Sequence, residues 1–402
     1  MSRPSAPWSL LDVVPPGPPP RPAPAAPAPA PATRTLRYHR LALADPGHRW
    51  WMPLVEGVIS FGIFFLLSIL FGILLVFTVP LTLSGDLDSL NQLDPTTFFL
   101  LFGSVALMLP SALLARLCLG PRPLGLIFSV TGRIRWRWLL TCFLLAVAVY
   151  AVVNLAGMGL DLATGASPTP VQPVPGFWWL VAITLVVVPL QCTAEEVVFR
   201  GYLAQMVGRW LKHPAWAILL PVPLFMAGHE YDIWGQLSVG IMAVSMGLVT
   251  WRTGGLEAGI ALHAVNNMSI SLLAAVGLVD MNDTGGSPVD LVPELILNGA
   301  YVALVFWLVR RRPGVAVTRT LVLPPPPAPL RLPAVRPAAI AADRSGMAAY
   351  PFDPATHTYL TLPPQYGPYE VRDAQGRYVG VLDTRPPMPS GPTYTEPHDA
   401  HH

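Results

Sequence analysis

Long apolar stretches alternate with short polar ones through the middle of the chain. The apolar runs lie near residues 53–81, 97–119, 137–160, 177–199, 214–231, 233–252, 255–279 and 291–309. A helix needs about 20 mostly apolar residues to cross the hydrocarbon layer of a bilayer. The pattern therefore predicts an all-α polytopic membrane protein with about eight transmembrane helices. The first 50 residues lack the short apolar core of a secretory signal.

Composition agrees with that reading. Of 402 residues, 52% are hydrophobic and only 12% charged, and the mean hydropathy is +0.50. A soluble domain carries about 25% charge. The net charge of +2 is uninformative, but the placement of charge is not. Lys212 is the sole lysine, so arginine carries the basic signal. Arg34, Arg37, Arg40 and Arg49 precede the first run, and Asp86, Asp88 and Asp94 follow it with no basic residue. Arg116, Arg122, Arg133, Arg135 and Arg137 surround the next connection, and the 161–176 loop has none. Arg200, Arg209 and Lys212 follow the fourth run, and Arg252 the sixth. Asp280, Asp283 and Asp290 stand between the last two, and Arg310, Arg311 and Arg312 end the eighth. Under the positive-inside rule this alternation puts both termini in the cytoplasm and requires an even number of crossings. The expected surroundings are the lipid bilayer, and no nucleic-acid partner is expected.

Three cysteines, Cys118, Cys142 and Cys192, lie in or beside apolar runs and read as small buried hydrophobes, not as a disulfide framework or a zinc cage. Residues 1–50 form a Pro/Ala-rich N-terminal tail, expected to be extended and disordered. Residues 51–312 form the transmembrane helical domain, with its motif core at 175–280. Residues 313–402 form a Pro-rich C-terminal tail, expected to be disordered apart from a small hairpin at 369–382. Such Pro-rich tails are also the composition that polyproline-binding partners take up.

Against this apolar background a few polar residues stand out. Ionisable groups at bilayer depth cost at least a few kcal/mol each, so they mark a functional site by default. Glu195 and Glu196 lie about one turn inside the end of the fourth run. Glu196 and Arg200 are four apart and face each other on a helix, which leaves Glu195 to point into the bundle. A charged helix end pairing at the interface is the plainer alternative. His229 follows Phe225 in the fifth run, where a structural histidine is the commoner occupant. His263 and Asn267 are four apart on one face of the seventh run. Neutral imidazole is a zinc ligand, and a carboxamide can donate to an oxyanion. Asn266 reads as an interhelical hydrogen-bonding residue. One geometric tension arises. With straight helices Glu195 stands about 7 Å from the cytoplasmic boundary and His229 about 22 Å; a break or kink at Pro214, Pro221 or Pro223, or a helix that begins outside the bilayer, would reconcile them.

These residues resemble the CPBP intramembrane proteases, the group that includes CaaX prenyl endopeptidases and bacteriocin-processing or immunity-type proteins. The family's Glu-Glu-x-x-x-Arg motif matches Glu195, Glu196 and Arg200; its Phe-x-x-x-His matches Phe225 and His229; its His-x-x-x-Asn matches His263 and Asn267. The lead-in Trp251-Arg252-Thr253-Gly254-Gly255-Leu256 is similar as well, and the resemblance covers about residues 175–280. It implies an endopeptidase acting on a membrane-associated peptide or protein near the cytoplasmic face. Glu195 would activate water with His229 as partner, Glu196 would support the site through Arg200, and His263 and Asn267 would stabilise the oxyanion. It also leaves open a zinc ion held by Glu195, His229 and His263, or a glutamate mechanism without metal; no His-Glu-x-x-His spacing is present. The other readings of the same residues are a non-catalytic scaffold or immunity-type peptide-binding protein, and an ion pathway.

Overall fold

The computed structural model describes residues 33–45, 47–78, 91–120, 123–165, 167 and 169–323, with the short strands 352–353, 358–359, 368–372 and 378–383. Thr33–Val322 form one compact unit. In chain order its elements are β1 (Thr33–Arg37), a 3-10 helix (Tyr38–Ala44), α1 (Met52–Thr78), α2 (Pro95–Ala106), α3 (Met108–Cys118), α4 (Gly125–Phe128), α5 (Trp136–Ala163), α6 (Phe177–Glu196), a π-helical segment (Val197–Leu203), α7 (Ala204–Trp210), α8 (Pro214–Leu219), α9 (Val222–Met226), α10 (Ile233–Thr253), α11 (Glu257–Ala275), α12 (Leu291–Arg311) and β2 (Thr318–Val322).

Among the described residues, seven helical stretches are long and apolar enough to cross a membrane. They turn large apolar side chains outward: Phe61, Phe65 and Phe77 on α1, and Val152 and Leu155 on α5, are all well exposed. Such surfaces belong in lipid, where each helix satisfies its own backbone. The protein is an integral membrane protein.

The remaining expected run, 214–231, is not one helix. Pro221 and Pro223 lack the N–H that a helix interior needs, and the segment splits into the short α8 and α9. It still crosses. The connections sort by their hydrogen bonds into two faces, and this segment joins one to the other. On one face, Gln92 N–H and Asn282 Oδ1 pair at 2.9 Å, Gln172 N–H and the Val276 carbonyl at 2.9 Å, and Asp232 N–H and the Thr284 carbonyl at 3.1 Å. On the other face, Val130 N–H donates to the Gly254 carbonyl at 2.9 Å, Arg319 to the Val130 carbonyl at 3.1 Å, and His39 Nε2 to the Lys212 carbonyl at 3.1 Å. Lys212 and Asp232 thus lie on opposite faces, and the even count survives. The connections 91–94, 164–176, 227–232 and 276–290 of the first face contain no Arg or Lys, and the basic residues of the connections collect on the second.

The fourth crossing is longer than the apolar run suggests. Helix continues from Phe177 to Trp210 without interruption. Glu195 therefore lies fifteen residues short of Trp210, about 22 Å along the axis. That matches the depth expected for His229 and removes the tension between them. The apolar run ends at residue 199, and the helix carries on past it to Trp210.

α11 is the central helix and packs against α5, α6 and α10. Its stretch from Ala258 to Ala264 is rich in Ala and Gly, which lets neighbouring backbones approach closely. The same chain region is anchored by a buried ion pair. Arg135 bonds Glu257 through Nε at 2.8 Å and Nη2 at 2.6 Å, and Glu257 also accepts from the Arg135 backbone N–H at 2.9 Å. Arg135 Nη1 reaches the Thr253 and Ala316 carbonyls at 3.0 and 2.8 Å. One guanidinium thereby ties together the start of α5, the end of α10, the start of α11 and the segment after α12. A carboxylate in the first turn of α11 also suits the positive end of its dipole.

Two expected tail segments belong to this unit. β1 and β2 pair antiparallel, Thr35 opposite Thr320, so residues 33 and 322 share the arginine-rich face. Tyr38 and Leu41 are fully buried beneath them, with the Tyr38 hydroxyl donating to the Ile127 carbonyl. Leu36, Tyr38 and Leu41 give the segment something to bury, which its proline-rich surroundings obscure. The expectations for residues 1–32 and for most of 324–402 lie outside the described residues. In the second unit, Pro368–Arg372 pairs antiparallel with Tyr378–Asp383, with a register shift at Val371/Arg372, and Phe352–Asp353 pairs with Thr358–Tyr359.

His39 makes the docking of the 3-10 helix sensitive to pH. Burial holds its imidazole below the ordinary value of 6.5, and Arg40 and Arg37 add to the effect. The docked ring stays neutral while a released ring takes up a proton, so docking is favoured above about pH 6.5 and loses that advantage as pH falls below it. Amide exchange over residues 33–44, corrected for intrinsic rates, is expected to be faster at pH 5.5 than at pH 7.5. Equal protection at the two pH values would refute this.

Candidate active site

The polar residues singled out from the sequence converge where α6, α9 and α11 meet. Glu195 and Glu196 end α6, and the chain then widens into the π-helical segment Val197–Leu203. Such wide turns often accompany functional sites. Glu196 and Arg200 keep their four-residue relation across it, with Oε1 and Nη1 at 2.9 Å. The Arg200 guanidinium carbon also lies 4.1 Å from the centre of the Phe225 ring, so a carboxylate and an aromatic face receive one buried cation.

His263 binds the two glutamates together. Its Nδ1 lies 3.2 Å from Glu196 Oε1 and its Nε2 lies 3.3 Å from Glu195 Oε2. A carboxylate can only accept, so Nδ1 carries a hydrogen toward Glu196. The Nε2 contact is close without completing an aligned hydrogen bond. Glu196 and His263 are fully buried and Glu195 is only 8% exposed. Charges so far from water persist only when compensated. Arg200 pairs with Glu196, and the His263 ring stands between the two carboxylates.

Glu195 also faces a cavity of about 300 Å³. His229, Asn267, Asn266 and Gln191 line the same space, with Phe102 and Ile270 among its apolar walls. The site is therefore layered. Glu195, His229 and Asn267 reach the cavity, while Glu196, Arg200, His263 and Phe225 stand behind them. Phe225 is the packing centre of the rear layer, with ring centroids 5.1 Å from Phe199, 4.9 Å from His229 and 5.8 Å from His263. His229 donates Nδ1–H to the Phe225 carbonyl at 2.9 Å, which leaves Nε2 as its free ring nitrogen. The Gln236 amide holds the His229 carbonyl.

A carboxamide chain positions Asn267. Tyr150 hydroxyl donates to Asn266 Oδ1 at 2.8 Å, Asn266 Nδ2 to Asn267 Oδ1 at 3.0 Å, and Asn267 Nδ2 to Gln191 Oε1 at 3.3 Å. Cys192 adds its thiol to the same Gln191 oxygen at 3.2 Å. Gln191 and Tyr150 were missed in the sequence; Gln191 stands four residues before Glu195, a spacing that could have singled it out. Gly259 was missed too, since a glycine signals nothing until its neighbour is known.

The expectation for His263 changes. It does not line the cavity but is turned to the two glutamates. The zinc expectation does not fit the arrangement either. Among the described residues, no group of three or more His, Cys, Asp or Glu side chains converges as metal ligands. His263 is bracketed by carboxylates on both ring nitrogens.

The match to known proteins falls on this cluster. Residues 175–269 match the family described as type II CAAX prenyl endopeptidase Rce1-like. That family is a protease family, and all seven singled-out residues lie inside the matched segment. The uncharacterized protein YyaK of Bacillus subtilis (strain 168) is 29% identical over 217 residues, covering 51% of this chain and 71% of that relative. No solved structure matches the chain.

Gly259 offers a test of the buried cluster. A Cβ there would stand 2.7 Å from Glu196 Oε2 and 3.0 Å from Thr250 Oγ1, both inside normal contact. Gly259→Ala is expected to destabilise the detergent-solubilised protein by about 1–3 kcal/mol. Gly299→Ala on α12, with nothing within 4 Å, should leave the melting temperature unchanged or raise it. Equal melting temperatures for the two variants would contradict this account of the cluster.

Proposed function

We propose that the chain is an intramembrane endopeptidase in which Glu195 activates water for attack on a peptide bond of a membrane-associated substrate. One observation carries this reading: Glu195 is at once a wall of the 300 Å³ cavity and a close partner of buried His263. A carboxylate so placed can take a proton from water in the cavity while the imidazole behind it fixes its orientation.

As the water oxygen bonds to the carbonyl carbon, one proton passes to Glu195 and the carbonyl electron pair moves onto its oxygen. Asn267 has two amide hydrogens, and one is committed to Gln191. The other is available to the oxyanion, a contact that strengthens as charge develops. Collapse of the intermediate breaks the C–N bond. The departing nitrogen receives a proton from Glu195 or through His229 Nε2, and the second proton of the water remains with the new carboxyl group. Glu196 and Arg200 act through His263 and are positioning residues.

The discriminating experiment compares the peptide termini of membrane fractions from cells expressing wild type or Glu195→Gln at matched levels. Termini present only with wild type are expected, and they would name the substrate. On that substrate Asn267→Ala should lower kcat by about 10²–10³-fold. Identical termini in the two membranes would turn the reading to a non-catalytic peptide-binding protein that keeps the fold.

A further inference from the structure

We infer that the site takes its peptide from the arginine-free face of the membrane, so that its substrate is an exported, membrane-anchored peptide cut on the non-cytoplasmic side. The inference rests on the proteolytic reading above and replaces the expected cytoplasmic approach.

The cavity beside Glu195 runs toward one face only. Gln92, Tyr231 and Met281 contribute to its walls, and all three sit on connections of the arginine-free face. The helical residues that line it tell the same story by position. Leu101, Phe102, Ser104 and Val105 lie in the first half of the crossing Pro95–Cys118, Val239 and Met242 early in α10, and Asn266, Asn267, Ile270 and Ser271 in the second half of α11. Each stands within about 15 Å of the helix end on that face, at 1.5 Å per residue.

The opposite direction is filled. Behind Glu195 come Glu196, His263, Arg200 and Phe225, all buried. Beyond them lies a packed layer that includes Tyr38, Ile127, Val197, Leu256 and Ile260. The cavity that borders Arg200 from that side measures about 20 Å³, room for one water and not for a peptide.

The charge pattern then assigns the faces. Arginines within 15–20 residues of membrane segments stay on the cytoplasmic side. The connections at the cavity mouth contain Asp94, Glu230, Asp232, Asp280 and Asp283 and no Arg or Lys. Both β1 and β2 lie on the arginine-rich face, so the ends of the compact unit are cytoplasmic and the mouth is not.

Single cysteines read the two faces in the full-length chain. Cys118 is exposed and is replaced by Ser, whereas Cys142 and Cys192 are buried. Gln92→Cys and Met281→Cys report the mouth, and the exposed Arg133→Cys reports the opposite face. With a membrane-impermeant maleimide, both mouth cysteines should react in intact cells as fully as after permeabilisation. Arg133→Cys should react only after permeabilisation. Labelling Met281→Cys on intact cells should also abolish the Glu195-dependent termini produced by the same unlabelled chain. The mirror-image labelling pattern overturns the inference, as does survival of those termini after complete labelling. If no terminus depends on Glu195, the proteolytic reading fails, while the labelling pattern still decides which face the cavity serves.

Discussion

The structure depends on keeping four ionisable groups together out of water. Arg200, Glu196, His263 and Glu195 form a chain of successive contacts in that order, with almost no exposure. Removing any one would leave a buried charge without its partner, a change that typically costs about 3–5 kcal/mol. The balance explains why the glutamates are adjacent in sequence yet serve different ends. Successive helical side chains point about 100° apart. One carboxylate therefore meets Arg200 and the rear of the site, and the other meets the cavity, and His263 joins them from the facing helix.

The rest of the bundle serves that junction. Small residues on α11 bring its backbone close to α6, and Gly259 leaves room for Glu196 where any side chain would displace it. Phe225 supplies an aromatic face to Arg200 and carbonyl support to His229. It does so from a segment that prolines keep from becoming a regular spanning helix. The carboxamide relay from Tyr150 to Gln191 holds Asn267 at the cavity wall without adding charge. Away from the site, the Arg135–Glu257 clamp joins four chain segments on the arginine-rich face, which is closed, while the acidic connections frame the open end of the cavity.

The sequence by itself determined the membrane class, the all-α architecture, most helix positions and the identities of the charged residues at the site. These follow from local chemistry. An apolar run of spanning length has few alternatives in lipid, and a pair such as Glu196 and Arg200 is fixed by helical spacing alone. The three-dimensional packing decided what no local pattern encodes. It carried the fourth crossing on to Trp210 and so brought Glu195 to the depth of His229. It broke the 214–231 run, and it buried Leu36, Tyr38 and Leu41 out of a tail that composition assigns to solvent. It also turned His263 toward both glutamates, made Gln191 and Gly259 part of the site, and placed the cavity at one end of the bundle. Each of these is set by contacts between segments far apart in the chain, where partner and distance exist only once the helices have packed.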